Sequence, residues 1–131
     1  MTTNTLRSTR RLTMALATAA GIALAGCGGD DGGSQEASEV LIELVAFQPE
    51  QLEVPAGATV TWRNADPGAH TVTSGSVEQG GAGVTLQPDG AFDSGELAKG
   101  ETFERAFAEP GTYPYFCSIH PATMRGEIRV T

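Results

Sequence analysis

Apolar and polar residues between positions 40 and 131 alternate in short runs, and no window sustains a helical period. The clearest run is ATVTWRN (58–64). On an extended chain Val60 and Trp62 fall on one face, and Thr59, Thr61 and Arg63 on the other. VLIELVA (40–46) is apolar enough for a buried strand, and QLEV (51–54), HTVTS (70–74), TFERAF (102–107), TYPYFC (112–117) and GEIRV (126–130) complete the series. Turn chemistry separates them at Pro55-Ala56-Gly57, Asp66-Pro67-Gly68, Pro88-Asp89-Gly90 and Pro110-Gly111. Seven or eight short strands in residues 40–131 predict an all-β fold, an antiparallel β-sandwich. The Gly-rich stretch 75–91 is expected to be a long surface loop. If Phe103 and Phe107 face the core, strand alternation brings Arg105 to the same face. That requires either an edge position from which Arg105 reaches solvent or a bulge in the strand.

The N-terminal residues follow other rules. RSTRR (7–11) precedes the apolar run MALATAAGIALAG (14–26), which is too short and too rich in small residues for a membrane span. Residues 1–26 therefore read as a signal peptide. LAGC (24–27) resembles a bacterial lipobox, which implies cleavage before Cys27 and a diacylglycerol on its thiol. An ordinary secretory signal with an incidental cysteine is the plainer alternative. Arg10-Arg11 hints at twin-arginine export, although Leu12-Thr13-Met14 suits that signal poorly. With Cys27 acylated, residues 28–39 (GGDDGGSQEASE) form an acidic, Gly-rich tether with nothing to bury. Its reach is about 20 Å. The expected domains are thus a signal peptide (1–26), an acylated cysteine with linker (27–39) and a folded domain (40–131). The expected location is extracytoplasmic: the outer face of the cytoplasmic membrane or the periplasm, held by lipid.

Charge narrows the partners. The formal net charge of the chain is −8, and removing residues 1–26 leaves five basic side chains against sixteen acidic ones, a balance of −11. Such a surface is a poor match for nucleic acid and a better one for a basic protein.

The inventory of soft and imidazole donors after Cys27 is small: His70, Cys117, His120 and Met124. Acylation of Cys27 leaves Cys117 without a partner for an internal disulfide, although an export signal points to an oxidising compartment. Each residue alone has a bland explanation: a packed histidine, a buried thiol, a core methionine. Three of the four fall within the eight residues 117–124, and this clustering outweighs the separate explanations. Two imidazoles and a thiolate with a distant thioether suit copper in both oxidation states. Zinc has little use for the thioether, and iron–sulfur clusters need several cysteines.

The stretches VTWRN, HTVTS, FDSGELAKGETFERAF and above all EPGTYPYFCSIHPATMRGEIRV resemble the cupredoxin family, near its plastocyanin and amicyanin-like branch. The resemblance spans residues 40–131. It implies a Greek-key sandwich holding one copper ion at one end, with His70 on an inter-strand loop and Cys117, His120 and Met124 on one tight loop. It also implies a blue-copper electron carrier cycling Cu(I)/Cu(II), with a cytochrome or a copper oxidase as partner. The edge of His120 would reach the surface among Ile119, Pro121 and Ala122, and Phe116 would lie where relatives run a second electron route or simply pack the core. Two departures stand out. Ala69 and Thr71 flank His70 where relatives often have Pro and an Asn that ties the two loops together, so Thr71, with Ser118, is expected to tie them less rigidly. Three residues separate His120 from Met124, where amicyanin-like loops commonly have two and plastocyanin-like loops more. A copper carrier delivering metal to an oxidase is the competing function. No second histidine cluster exists to serve an enzyme. A monomer is expected.

Overall fold

The computed structural model describes residues 38–131. The expected signal peptide, Cys27 and residues 28–37 of the expected linker lie outside the described residues. Nine strands make up the domain: β1 (Ser38–Glu43), β2 (Ala46–Gln48), β3 (Gln51–Val54), β4 (Thr59–Asn64), β5 (Thr73–Gly80), β6 (Gly83–Asp93), β7 (Thr102–Ala106), β8 (Gly111–Phe116) and β9 (Arg125–Val130). They form two sheets, ordered β2-β1-β4-β7 and β3-β9-β8-β5-β6. This is the expected Greek-key sandwich, in which the chain repeatedly crosses from one sheet to the other.

Those crossings make the sandwich mixed rather than wholly antiparallel. β1 runs parallel to β4, and β3 parallel to β9. Strand alternation is blind to this, because pairing direction depends on where the chain returns and not on which face is apolar. The apolar run 40–46 also proves to be two strands. Leu44 and Val45 both have φ of 56°, so the chain reverses there into β2. Tight hairpins need such positive φ values, usually supplied by Asn and Gly.

The stretch expected as a loop over 75–91 is instead a hairpin. Val77 faces Leu86 and Gln79 faces Val84 across β5 and β6. Its glycines obscured a short alternation on both sides of the turn. Gly75 is required by the backbone: its φ is +127°, and a Cβ there would strike the backbone carbonyl oxygen of Gln87. The β5–β6 register shifts at that point, giving a bulged base from which the hairpin leaves the sandwich.

Trp62 organises the core. It is fully buried, with ring centroids 5.4 Å from Tyr115, 5.7 Å from Phe103, 5.9 Å from Phe92 and 6.4 Å from Phe107. Both sheets thus meet on one indole, as the alternation in β4 requires. Arg105 takes the edge solution. Its strand pairs with β4 in unbroken register, Val60 against Arg105 and Trp62 against Phe103, so there is no bulge. Since β7 is an edge strand, the guanidinium escapes to the surface, 6.0 Å from the centroid of Phe92.

Gly126 lies under the ring of Tyr115, and a Cβ would collide with the Tyr115 Cζ and hydroxyl. Gly126→Ala should therefore cost about 2 kcal/mol, as over-packing typically does. Gly68→Ala, with nothing within 4 Å of the new Cβ, should be close to neutral. Urea unfolding of the two variants tests this; equal midpoints would contradict it.

Candidate metal centre

Two connections bring the predicted donors together. The β4–β5 connection carries His70, and the β8–β9 connection carries Cys117, His120 and Met124. His70, Cys117 and Met124 are buried, while His120 is partly exposed. Cys27 lies outside the described residues.

Asn64, at the end of β4, shapes the first connection. Its buried amide donates to the carbonyls of Gly68 and Leu97, both at 2.8 Å, and accepts from the Asp66 amide at 2.9 Å. His70 is then pinned by a two-way bridge: its N–H donates to Leu97 O at 3.1 Å and the Leu97 N–H to His70 O at 2.7 Å. The second connection closes on itself. The amides of Thr123 and Met124 donate to His120 O at 3.2 and 2.9 Å, and the Cys117 amide donates to Met124 O at 3.1 Å. Met124 is thus tied by its backbone to His120 and Cys117.

Thr71 joins the two connections. Its N–H points at Cys117 Sγ, 3.4 Å away. Its hydroxyl oxygen accepts from the Ser118 amide at 2.8 Å and lies 3.0 Å from the Ser118 hydroxyl. This is the joining role the sequence assigned to Thr71 with Ser118.

The result is a convergent donor set. One ligand atom each from His70, Cys117 and His120 lie within 4.8 Å of one another. Cys117 Sγ is 3.8 Å from His70 Nδ1 and 3.9 Å from His120 Nδ1. A thiolate sulfur and an imidazole nitrogen sharing one ion in a plane, at bond lengths of about 2.3 and 2.0 Å, would be about 3.8 Å apart. The residues therefore fit a single metal ion with little rearrangement, and the donor types fit copper.

Sequence reasoning took Asp66 only for a turn residue. Its carboxylate accepts from the Leu44 amide (2.9 Å) and the Val45 amide (2.8 Å), and reaches His70 Nε2 at 3.1 Å. One side chain thus holds a strained turn and orients a donor imidazole from behind, leaving Nδ1 facing the sulfur. The only advance signal was an acid four positions before a histidine. The Val45 amide is the chief reason the Asp66 carboxyl sits below its ordinary value; the Leu44 amide and His70 add to it, and burial opposes it. Burial pushes the His70 imidazole down and His120 adds to this, while Asp66 acts against both. A lowered value keeps His70 neutral, with a free lone pair for a metal.

Residues 35–131 match the family described as copper binding proteins of the plastocyanin/azurin family. Amicyanin-alpha of Methylorubrum extorquens is 35% identical over 93 residues, 71% of each chain. A plastocyanin of Scenedesmus fuscus is 33% identical over 89 residues, 66% of this chain and 87% of the relative. Among solved structures, a purple cupredoxin from Nitrosopumilus maritimus superposes with a TM-score of 0.60 at 31% identity, over 72% of this chain and 99% of the other.

Removing the carboxylate in Asp66→Ala should destabilise the metal-free protein at pH 7 by about 2 kcal/mol, since charge-assisted hydrogen bonds are lost. The folded value of Asp66 lies below the ordinary 3.8, so its contribution is complete above 3.8 and disappears as pH falls through the folded value. The gap between wild type and variant should therefore close at strongly acid pH. A gap in urea midpoints that persists there would mean the charge is not what holds the turn.

Proposed function

The chain belongs to the copper-binding plastocyanin/azurin family, and from that premise we propose that it is a single-electron carrier working at a membrane surface. In this reading His70 Nδ1, Cys117 Sγ and His120 Nδ1 would hold one copper ion, with the Met124 thioether as a fourth donor. The observation that carries the reading is the convergence of these three atoms within 4.8 Å, braced by hydrogen bonds from the protein itself. Bound copper supplies a one-electron Cu(I)/Cu(II) couple.

The protein's own task is to keep its donors still. Asp66 fixes the ring of His70, the Leu97 bridge fixes its backbone, and Thr71 holds the sulfur end of the second connection. Donors that cannot relax toward either oxidation state keep reorganisation small. Electrons enter and leave through His120, the one partly exposed donor. Around it lie Ile119, 43% exposed, and the turn residues Leu44 and Val45, 81% and 43% exposed. Leu44, Val45, Pro67 and Gly68 line a shallow depression with both imidazoles. This apolar face suits brief docking, and the acidic surface steers a basic cytochrome or copper oxidase toward it. Phe116 is buried but stands apart from the main core cluster, as a residue on the opposite side of β8 should. The anchor in this proposal is a lipid on Cys27, carried by the LAGC stretch.

Adding Cu(II) to the purified protein should produce an intense thiolate-to-copper band in the visible. Cys117→Ala should abolish it, and survival of the band in that variant would sink the ligand assignment. Voltammetry of the loaded protein should be reversible; copper held only as Cu(I) would favour a carrier. With a basic c-type cytochrome as partner, electron-transfer rates should fall as salt rises, and a flat profile would remove electrostatic steering.

A further inference from the structure

We infer that Arg125 is a positioning residue that fixes the connection between His120 and Met124, with Gln79 of the β5–β6 hairpin closing on the same backbone. The inference rests on the copper reading above but concerns a side chain outside the ligand set. The Arg125 guanidinium donates through Nε to Pro121 O at 3.2 Å and through its NH2 group to Ala122 O at 3.3 Å. These two carbonyls belong to successive residues of the three that separate His120 from Met124. Gln79 Nε2 also donates to Ala122 O, at 3.2 Å.

Several observations make this more than an incidental surface contact. Residues 121–123 form a turn outside the sheet, so their carbonyls have no strand partner. Arg125 is half-buried, although Glu50 and Glu127 line the same hollow. It forms no ion pair within 4 Å with a carboxylate of the described residues. The cation is committed to backbone instead. A planar fork with two parallel donors can hold adjacent carbonyls at a set separation, which an ammonium cannot do. The stretch so held ends at Met124, whose amide is bonded to His120 O. Slack in residues 121–123 would therefore pass directly into the separation of two proposed donors. Arg125 itself begins β9, where its backbone pairs with Phe116, so the clamp is anchored in the sheet.

The test compares Arg125→Lys, which keeps the charge and loses the fork, with Arg125→Met, which loses both, and with Gln79→Leu. Amide hydrogen exchange in the metal-free protein is the first readout. Both Arg125 variants should speed exchange at Thr123 and Met124 by at least about tenfold, as loss of charge-assisted hydrogen bonds implies. Exchange at Ile128 in β9 should not change, which separates a loosened turn from a destabilised fold. Gln79→Leu should act in the same sense, more weakly. In the copper-loaded protein, both Arg125 variants should shift the visible band ratio and the reduction potential in the same direction. Unchanged exchange at Thr123 and Met124 in both variants would overturn the inference. So would a potential shift confined to Arg125→Met and removed by high salt, since that reports charge alone. If wild-type protein forms no thiolate band, the copper reading fails, while the exchange result still judges the clamp.

Discussion

The hydrogen bonds of Thr71 bind together two connections whose residues lie 47 positions apart in sequence. Everything chemical depends on that join. A thiol and two imidazoles from separate loops must stay within bonding distance of one ion, and like-minded polar groups buried at close quarters do not assemble unaided. Holding the ends of a long chain segment together has an entropic cost that grows with its length. Here it is met once, by the folding of the sheets, and the short-range bonds of Thr71 then settle the remaining freedom. Its N–H on Cys117 Sγ satisfies the sulfur, while its hydroxyl gives the Ser118 amide a partner. These bonds restrain both connections from within the protein.

The sandwich supplies the rigid frame for this join. β4 and β8 lead into the two connections, and both pack on Trp62 and Tyr115. Rigidity near the site also has a local cost. Leu44 and Val45 occupy left-handed backbone that neither favours, least of all the β-branched Val45. Asp66 offsets the strain by accepting from both amides, and the same carboxylate steadies His70. Turn and donor are thus one unit: a change in either is felt by the other through a single side chain.

The surface has a corresponding asymmetry. Among the described residues, the exposed large apolar ones are Leu44, Val45, Ile119, Val84 and Leu86. The first two line a depression with His70 and His120, and Ile119 adjoins His120 in sequence. Val84 and Leu86 lie on the hairpin, on the face that also carries Gln79 and its bond to Ala122. Exposed apolar area on an acidic protein is tolerated where it serves contact, and an electron carrier needs such contact beside its exposed donor.

Local pattern made much of this legible. The alternation of Val60 and Trp62, the turn residues and the donor spacing Cys117, His120, Met124 all act over a few residues, so they survive in a linear reading. The joining role of Thr71 with Ser118 was legible too, because the family resemblance gives the residue after the first histidine that role, although relatives often have Asn there. Other features were decided only in three dimensions. The β5–β6 hairpin was hidden because glycine-rich composition outweighs weak alternation. The parallel pairing of β1 with β4 depends on a crossing between sheets. The turn at Leu44 and Val45 runs against local preference and is held by Asp66, far away in sequence. The edge position of Arg105 and the grip of Arg125 on Pro121 and Ala122 likewise depend on neighbours that folding supplies. The sequence by itself determined which chemical groups are present and which faces they share, since residue type and strand periodicity are local properties. Tertiary structure decided which groups restrain the donors, because those restraints join residues that only the closed sandwich brings within hydrogen-bond reach.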